Sequence, residues 1–463
     1  MTQFFSMSRI LPENRRKGPV PNTKNAYQNF LNVAWPAAMQ GLLIDLMMTI
    51  DLAMVGTLGA WALASVGVMS QPKMVLHVMM RALSVPVTAL VARRMGEGNR
   101  QAMNATLKQG ISLTLLLYLP IVAAAFYFLP QIILFTGGQS SLIDPATRYG
   151  RYVTIGVFFT AFTQVIGAAL VGTGNTRVVF KANVMGNVVN TLLNIVLIHG
   201  IGPFPRMEVV GAGLATMVGN IVALLAISRE VIGSDKLLTL NAPGKWFDPQ
   251  ILKPIGKLGS SSLGEQAFER FGMYTYTMMV ARLGVVPLAA HHVVMSLCDI
   301  FYSFTLGLGS ATASHTGQNL GKKRSDMAEA YGKIGIRVGF VLGLAAFAVY
   351  VVGRTPLMWI YTQDVQVITL GKALTVIMAL ATVPQAFQLV YSGVLKGAGD
   401  NFYVMVYSLG VIAVFRPLLT YLLCFPLGFG IYGAWIALVV DQSLRMVFSA
   451  KRFYGGKWKH VRI

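Results

Sequence analysis

Twelve apolar runs follow one another along this chain, near 30–57, 62–92, 109–135, 147–171, 178–199, 209–228, 259–282, 286–316, 331–353, 366–395, 402–427 and 430–450. Each is long enough to cross about 30 Å of hydrocarbon as a helix. In lipid the backbone must satisfy its own hydrogen bonds, so a chain built this way folds as a bundle of spanning helices. The fold class is therefore all-α and polytopic. Only 12% of the 463 residues are charged, where a soluble globule carries roughly twice that share. The 47 glycines suit close helix packing in a bilayer.

The net charge of +21 would suggest nucleic acid as a partner in a soluble protein. Here the basic residues lie mainly in short loops and tails, so the bilayer is the partner and no nucleic acid is expected. One side collects 28 Lys and Arg, from both tails and the loops after even-numbered spans. The other side collects five, and five more lie inside spans: Lys73, Arg81, Arg270, Lys372 and Arg416. The positive-inside rule then puts both termini in the cytoplasm. Residues 1–28 show no cleavable signal core. Cys298 and Cys424 lie in apolar stretches, so neither a disulfide nor a metal site is expected.

The chain also repeats itself. "MVGTLGAWALASV" from Met54 returns as "MVARLGVVPLAAH" from Met279, at an offset of 225. Gly96 and Gly321 keep that offset, and so do Gly172 and Gly397 in "LVGTGNT" and "LKGAGDN". "GAGLA" at Gly211 matches "GAWIA" at Gly433 with a shift of 222. Each unit holds six spans, so both enter from the same side and the repeats are parallel. The predicted organisation is an N-terminal tail (1–28), an N-lobe (29–228), a cytoplasmic linker (229–258), a C-lobe (259–450) and a C-terminal tail (451–463). "GTGNTR" and "GAGD" lack the Walker Lys and Ser/Thr and read as helix turns. ATP drive and enzymatic chemistry are not expected.

The phrases "DLAMVGTLGAWALASVG", "ALVARRMGEGN", "LVGTGNTR", "VVGAGLAT", "LGVVPLAAHHV", "GQNLGKKR", "LKGAGD" and "YGAWIALVVDQ" together resemble the multidrug and toxic compound extrusion (MATE) family. The resemblance spans residues 30–455. It implies two six-helix lobes, a V-shaped central cavity and cation-coupled antiport. The closing "RFYGGKW" is similar to the bacterial DNA-damage-inducible branch.

Ionisable groups inside spans are costly and are functional candidates by default. Asp51, late in the first span, matches the family's helix 1 aspartate, which titrates or coordinates the coupling ion. It follows Pro36, expected to kink that helix. Asp45 is a second candidate, six residues earlier and on another face. Asn183, Asn187, Asn190 and Asn194 recur every three or four residues, so they line one face of the fifth span. They read either as a cavity lining or as interhelical hydrogen bonds. The family's second carboxylate in this span is absent, since Asn194 stands in its place. In the seventh span Glu269 matches the family's helix 7 glutamate; Glu265 and Arg270 lie close by in sequence. Gln385, one turn before Gln388, replaces the helix 10 aspartate of sodium-coupled members. Gln40 and Gln164 join the cavity-lining candidates. His291, His292 and His315 read as packing, Asp441 with Arg445 as an intrahelical ion pair, Arg416 as structural, and Asp299 has no assigned role.

These readings converge on a monomeric antiporter of the bacterial inner membrane. It exports amphipathic organic molecules, drugs or flavin-like aromatics, by alternating access. No cofactor is needed. Protons are favoured over sodium, with sodium at Asp51 the alternative. A lipid-linked precursor flippase and a non-transporting scaffold are the competing classes.

Overall fold

The computed structural model describes residues 2–135, 142–461 and 463. Twelve long helices account for the expected spans. They are α1 (Thr23–Gly56), α2 (Ala60–Gly96), α3 (Arg100–Tyr127), α4 (Ile143–Gly172), α5 (Thr176–His199) and α6 (Glu208–Ser228). The second half gives α7 (Pro249–Ala281), α8 (Val285–Gly321), α9 (Ser325–Val352), α10 (Val365–Gly397), α11 (Asn401–Cys424) and α12 (Gly430–Tyr454). Eleven are apolar and long enough to span. The exception is α7, where Lys253, Lys257, Glu265, Glu269 and Arg270 interrupt the apolar run.

The helix edges repeat as the sequence does. α2 and α8, α3 and α9, and α5 and α11 each begin and end 225 residues apart. Even the short helices that follow α3 and α9, Leu129–Phe135 and Arg354–Tyr361, start at that offset. Eight residues join α5 to α6 and five join α11 to α12. That three-residue difference is why the offset falls to 222 in the last helix of each repeat.

The chain divides into two compact units, Gln40–Gly259 and Met1–Met39 with Ser260–Ile463. The boundary lies within α1, shortly after Pro36. α1 stays helical on both sides of this buried proline, which removes one backbone donor without ending the helix. The repeat assigned all of α1 to the first lobe, whereas its opening turns pack with the second half. Phe30 stacks on His315, and a Cβ on Gly307 would strike the Ala38 backbone.

In the unit Gln40–Gly259, Val87, Leu107, Ile133 and Val165 belong to one buried core spanning α2, α3, α4 and the short helix after α3. The linker folds back on α3. Asn104 accepts from the Thr239 amide at 2.9 Å, and Gln109 bonds both the Lys245 carbonyl and the Asp248 amide. Polar residues on an otherwise apolar helix thus satisfy the linker's backbone groups.

In the other unit, α8 and α10 touch through backbone. A Cβ on Gly393 would meet the Gly309 carbonyl, and one on Gly397 the Ala313 carbonyl. The N-terminal tail is docked rather than free. Its short helix Met7–Ile10 buries Met7 and Ile10, the Lys17 amide donates to Asp326, and the Lys333 ammonium donates to the Ile10 carbonyl. The C-terminal tail reaches the same end of α9: Lys459 pairs with Glu329, and Trp458 stacks on Phe453. Cys298 and Cys424 are both buried free thiols.

Candidate polar sites within the helices

In the unit Gln40–Gly259 the site is built on a seam of small residues. A Cβ on Gly186 of α5 would lie 2.6 Å from the Gly219 carbonyl and 2.8 Å from Ala223 of α6. Backbones this close hold α5 and α6 in one register and press Asn190 against Gly219. The amides of Asn190 and Asn194 are buried and meet Asp51 of α1. Asn194 donates to the Asp51 carboxylate at 2.7 Å. Asn190 turns its nitrogen to the same carboxylate at 2.9 Å, and its oxygen accepts from the Thr216 amide at 3.1 Å. The hydrogen-bonding network sets that orientation. Two neutral donors therefore converge on one carboxylate oxygen.

The asparagine stripe splits in function. Asn190 and Asn194 serve Asp51, while Asn183 bonds the Val179 carbonyl of its own helix at 2.8 Å. Asn187 is half-buried, as are Gln40 and Gln164. Asp45 is half-buried too; six residues at ~100° each point it about 120° away from Asp51.

Lys73 of α2 is one of the five basic residues inside spans. It lies in electrostatic range of Asp51. It also lines a cavity of about 20 Å³ with Met69, Leu76, Ala125 and Thr154. That space is far too small for an organic substrate. Its signal was available in the sequence: a lone lysine inside a span demands a counter-charge.

In the unit containing α7–α12 the polar groups are paired differently. Glu265 binds Lys396 of α10 at 2.8 Å. Gln388 reaches the Tyr407 hydroxyl at 3.4 Å, and Gln385 bonds Cys298. Asp441 bonds Arg445 at 3.0 Å, as the i, i+4 spacing implied, and also binds Arg416. Glu269 is half-buried and within electrostatic range of Arg445. Among the described residues it forms no direct ion pair. His315 stacks flat on Tyr331 at 4.2 Å, and His291 sits among Tyr276, His292 and Trp435. Those contacts fit the packing role. Among the described residues no three His, Cys, Asp or Glu side chains converge as metal ligands.

The comparisons with known proteins follow the same division. "Probable multidrug resistance protein NorM" of Thermotoga maritima is 24% identical, covering 93% of this chain and 93% of its own length. "Multidrug resistance protein NorM" of Vibrio vulnificus is also 24% identical, covering 94% and 96%. Among solved structures, an "outward-facing conformation of a multidrug resistance MATE family transporter of the MOP superfamily" superposes with a TM-score of 0.86. Its identity is 20%, over 93% of this chain and 96% of that one. At that identity the likeness establishes the fold. The MatE family model matches twice, over residues 36–196 and 262–422, once in each repeat. With both repeats matched and the shared fold spanning nearly the whole chain, the protein belongs to the MatE family of membrane transporters.

Proposed function

We propose that the protein is a proton-coupled antiporter that exports small amphipathic organic molecules, and that Asp51 carries the exchanged proton. The observation supporting this is that Asp51, unlike Asp45 on another face of the same apolar helix, has the neutral amides of Asn190 and Asn194 as its hydrogen-bond partners. Removal from water favours the neutral carboxyl, while amide donors favour the anion. A group balanced between these influences gains or loses a proton when its surroundings change. Export by alternating access supplies that change. One charge moving down 100 mV releases about 2.3 kcal/mol, enough for roughly fortyfold accumulation.

Sodium is the second reading, and one observation favours it. The buried Asn194 side-chain oxygen has no hydrogen-bond partner among the described residues. Beside the Asp51 carboxylate it could serve as a second oxygen ligand. Efflux of cationic dyes and of flavins from a pump-deleted host, with pH and sodium varied independently, separates the two. Proton coupling predicts export that follows the pH gradient at any sodium concentration. Export that needs sodium and ignores pH assigns the site to sodium instead.

The relatives' names point to multidrug substrates for those proteins, and the same class is proposed here. The cell membrane is the proposed location, with both termini inside. Reporter fusions at Glu97, Lys245, Lys323 and the C-terminus should then read cytoplasmic, and fusions at Asp144 and Arg206 external. An external C-terminus overturns this topology.

A further inference from the structure

The two repeats differ at the positions that matter most. At the 225-residue offset Tyr276 of α7 stands where Asp51 stands in α1, and Arg270 stands where Asp45 stands. At the 222-residue offset of the last helix, Asp441 and Arg445 of α12 replace Gly219 and Ala223 of α6. Gly219 and Ala223 are the residues that let α5 press against α6. In α12 a carboxylate and a guanidinium occupy that seam, and both are buried.

The partner helix has changed to match. Where α5 is regular, α11 loosens into a π-helical segment over Leu409–Phe415, ending at Arg416. π-Turns of this kind re-aim the side chains that follow them. Arg416 is 2% exposed and binds Asp441, which is fully buried and also accepts from Arg445. The guanidinium of Arg416 lies over the Tyr276 ring at 5.7 Å from its centroid. Three helices, α7, α11 and α12, thus meet at a carboxylate held between two cations. Glu269 of α7 lies within range of Arg445, which brings the local charge to balance.

We infer that Asp441, Arg416, Arg445 and Tyr276 form the second repeat's counterpart of the Asp51 site, converted into a fixed-charge clamp. The clamp positions α11 against α12 and exchanges no proton during transport. Coupling is then confined to the first repeat. The first repeat's carboxylate accepts its hydrogen bonds from neutral amides, with Lys73 in electrostatic range but not bonded to it. The second has moved its carboxylate to the neighbouring helix and matched it with cations that cannot deprotonate. Removing the carboxylate alone leaves two buried guanidiniums without it. Removing it together with one guanidinium leaves Arg445 beside Glu269, and restores the balance.

The clamp itself stands on the geometry, while the absence of proton exchange rests on the reading of Asp51 given above. The test uses the full-length protein, purified in detergent for thermal unfolding and expressed in a pump-deleted host for export across a range of pH. Three variants are compared: Asp441→Asn, Asp441→Asn with Arg416→Met, and Asp51→Asn. The expected result is a several-fold loss of folded protein for Asp441→Asn. The double variant recovers yield and unfolding temperature, and its export keeps the parent's pH midpoint. Parent-level folding of Asp441→Asn, or failure of the double variant to recover, overturns the clamp. A shifted or flattened pH profile in the folded double variant overturns the absence of proton exchange. Parent-level export by Asp51→Asn defeats the coupling proposal instead, and leaves the unfolding comparison to decide the clamp.

Discussion

In α1 the first repeat carries a carboxylate, Asp51, hydrogen-bonded by amides of α5. In α7 the second repeat carries the Tyr276 ring at that position, and its carboxylate sits on α12 between Arg416 and Arg445. The helix edges superimpose in sequence almost residue for residue, so the scaffold was copied and the charges were not. Each arrangement therefore suits a different role. A carboxylate hydrogen-bonded by neutral donors, with Lys73 only in electrostatic range, can change its charge without breaking a direct ion pair. One between two guanidiniums cannot, because losing its charge strands both.

The largest effect is expected from forcing one repeat to resemble the other. Gly219→Asp places a charge at the α5–α6 seam, where a Cβ would already lie 2.7 Å from the Gly186 carbonyl. No guanidinium waits there, and an uncompensated buried charge costs about 3–5 kcal/mol. Folded yield should collapse in size-exclusion chromatography. Parent yield would show that the seam tolerates what α12 contains, and would break the comparison.

Gly186→Ala is the steric version of the same test. It adds one methyl against the Gly219 carbonyl, and overpacking of this kind costs about 1–3 kcal/mol. A lower unfolding temperature with unchanged pH dependence of export is expected. An unchanged unfolding temperature would mean that α5 and α6 are not in backbone contact.

Glu269→Gln sharpens the comparison from the other side. Glu269 balances Arg445 at a distance and forms no direct ion pair among the described residues, so its neutralisation should lower export and cost less unfolding temperature than Asp441→Asn. A loss of folded protein as large as that of Asp441→Asn would instead make Glu269 a full member of the clamp. The smallest effect is expected at the tails. Lys459→Ala removes an ion pair to Glu329 at a partly exposed surface, worth about 0–1 kcal/mol. The unfolding temperature should move little.

Much of this was legible in the sequence. Apolar runs and glycine-marked turns report helices directly, since each helix satisfies its own backbone. A constant offset at three places reports duplication. The spacing of Asn190 and Asn194 put two amides on the face that meets Asp51. Other features depended on distant residues. The helix runs on through Pro36, because neighbouring turns hold α1 helical on both sides. Residues 1–28 and 229–258 are polar and read as a tail and a linker, but Lys17, Asn104, Gln109 and Asp326 tie them down through single bonds that no periodicity announces. Arg416 was assigned only a structural role because its partner lies 25 residues away on another helix. At matching positions of the two repeats Tyr276 stands for Asp51 and Asp441 for Gly219.

In the proposed mechanism Asp51 couples ion movement to export. Asp51→Asn keeps the side chain's shape and most of its hydrogen-bonding capacity, and holds it permanently uncharged. The decisive measurement pairs substrate binding by the purified variant with substrate accumulation driven by a pH gradient in proteoliposomes. The prediction is a folded protein that binds substrate and fails to concentrate it. Parent-level accumulation by Asp51→Asn, at matched protein content, would contradict the claim and move the search to Asp45 and Glu269.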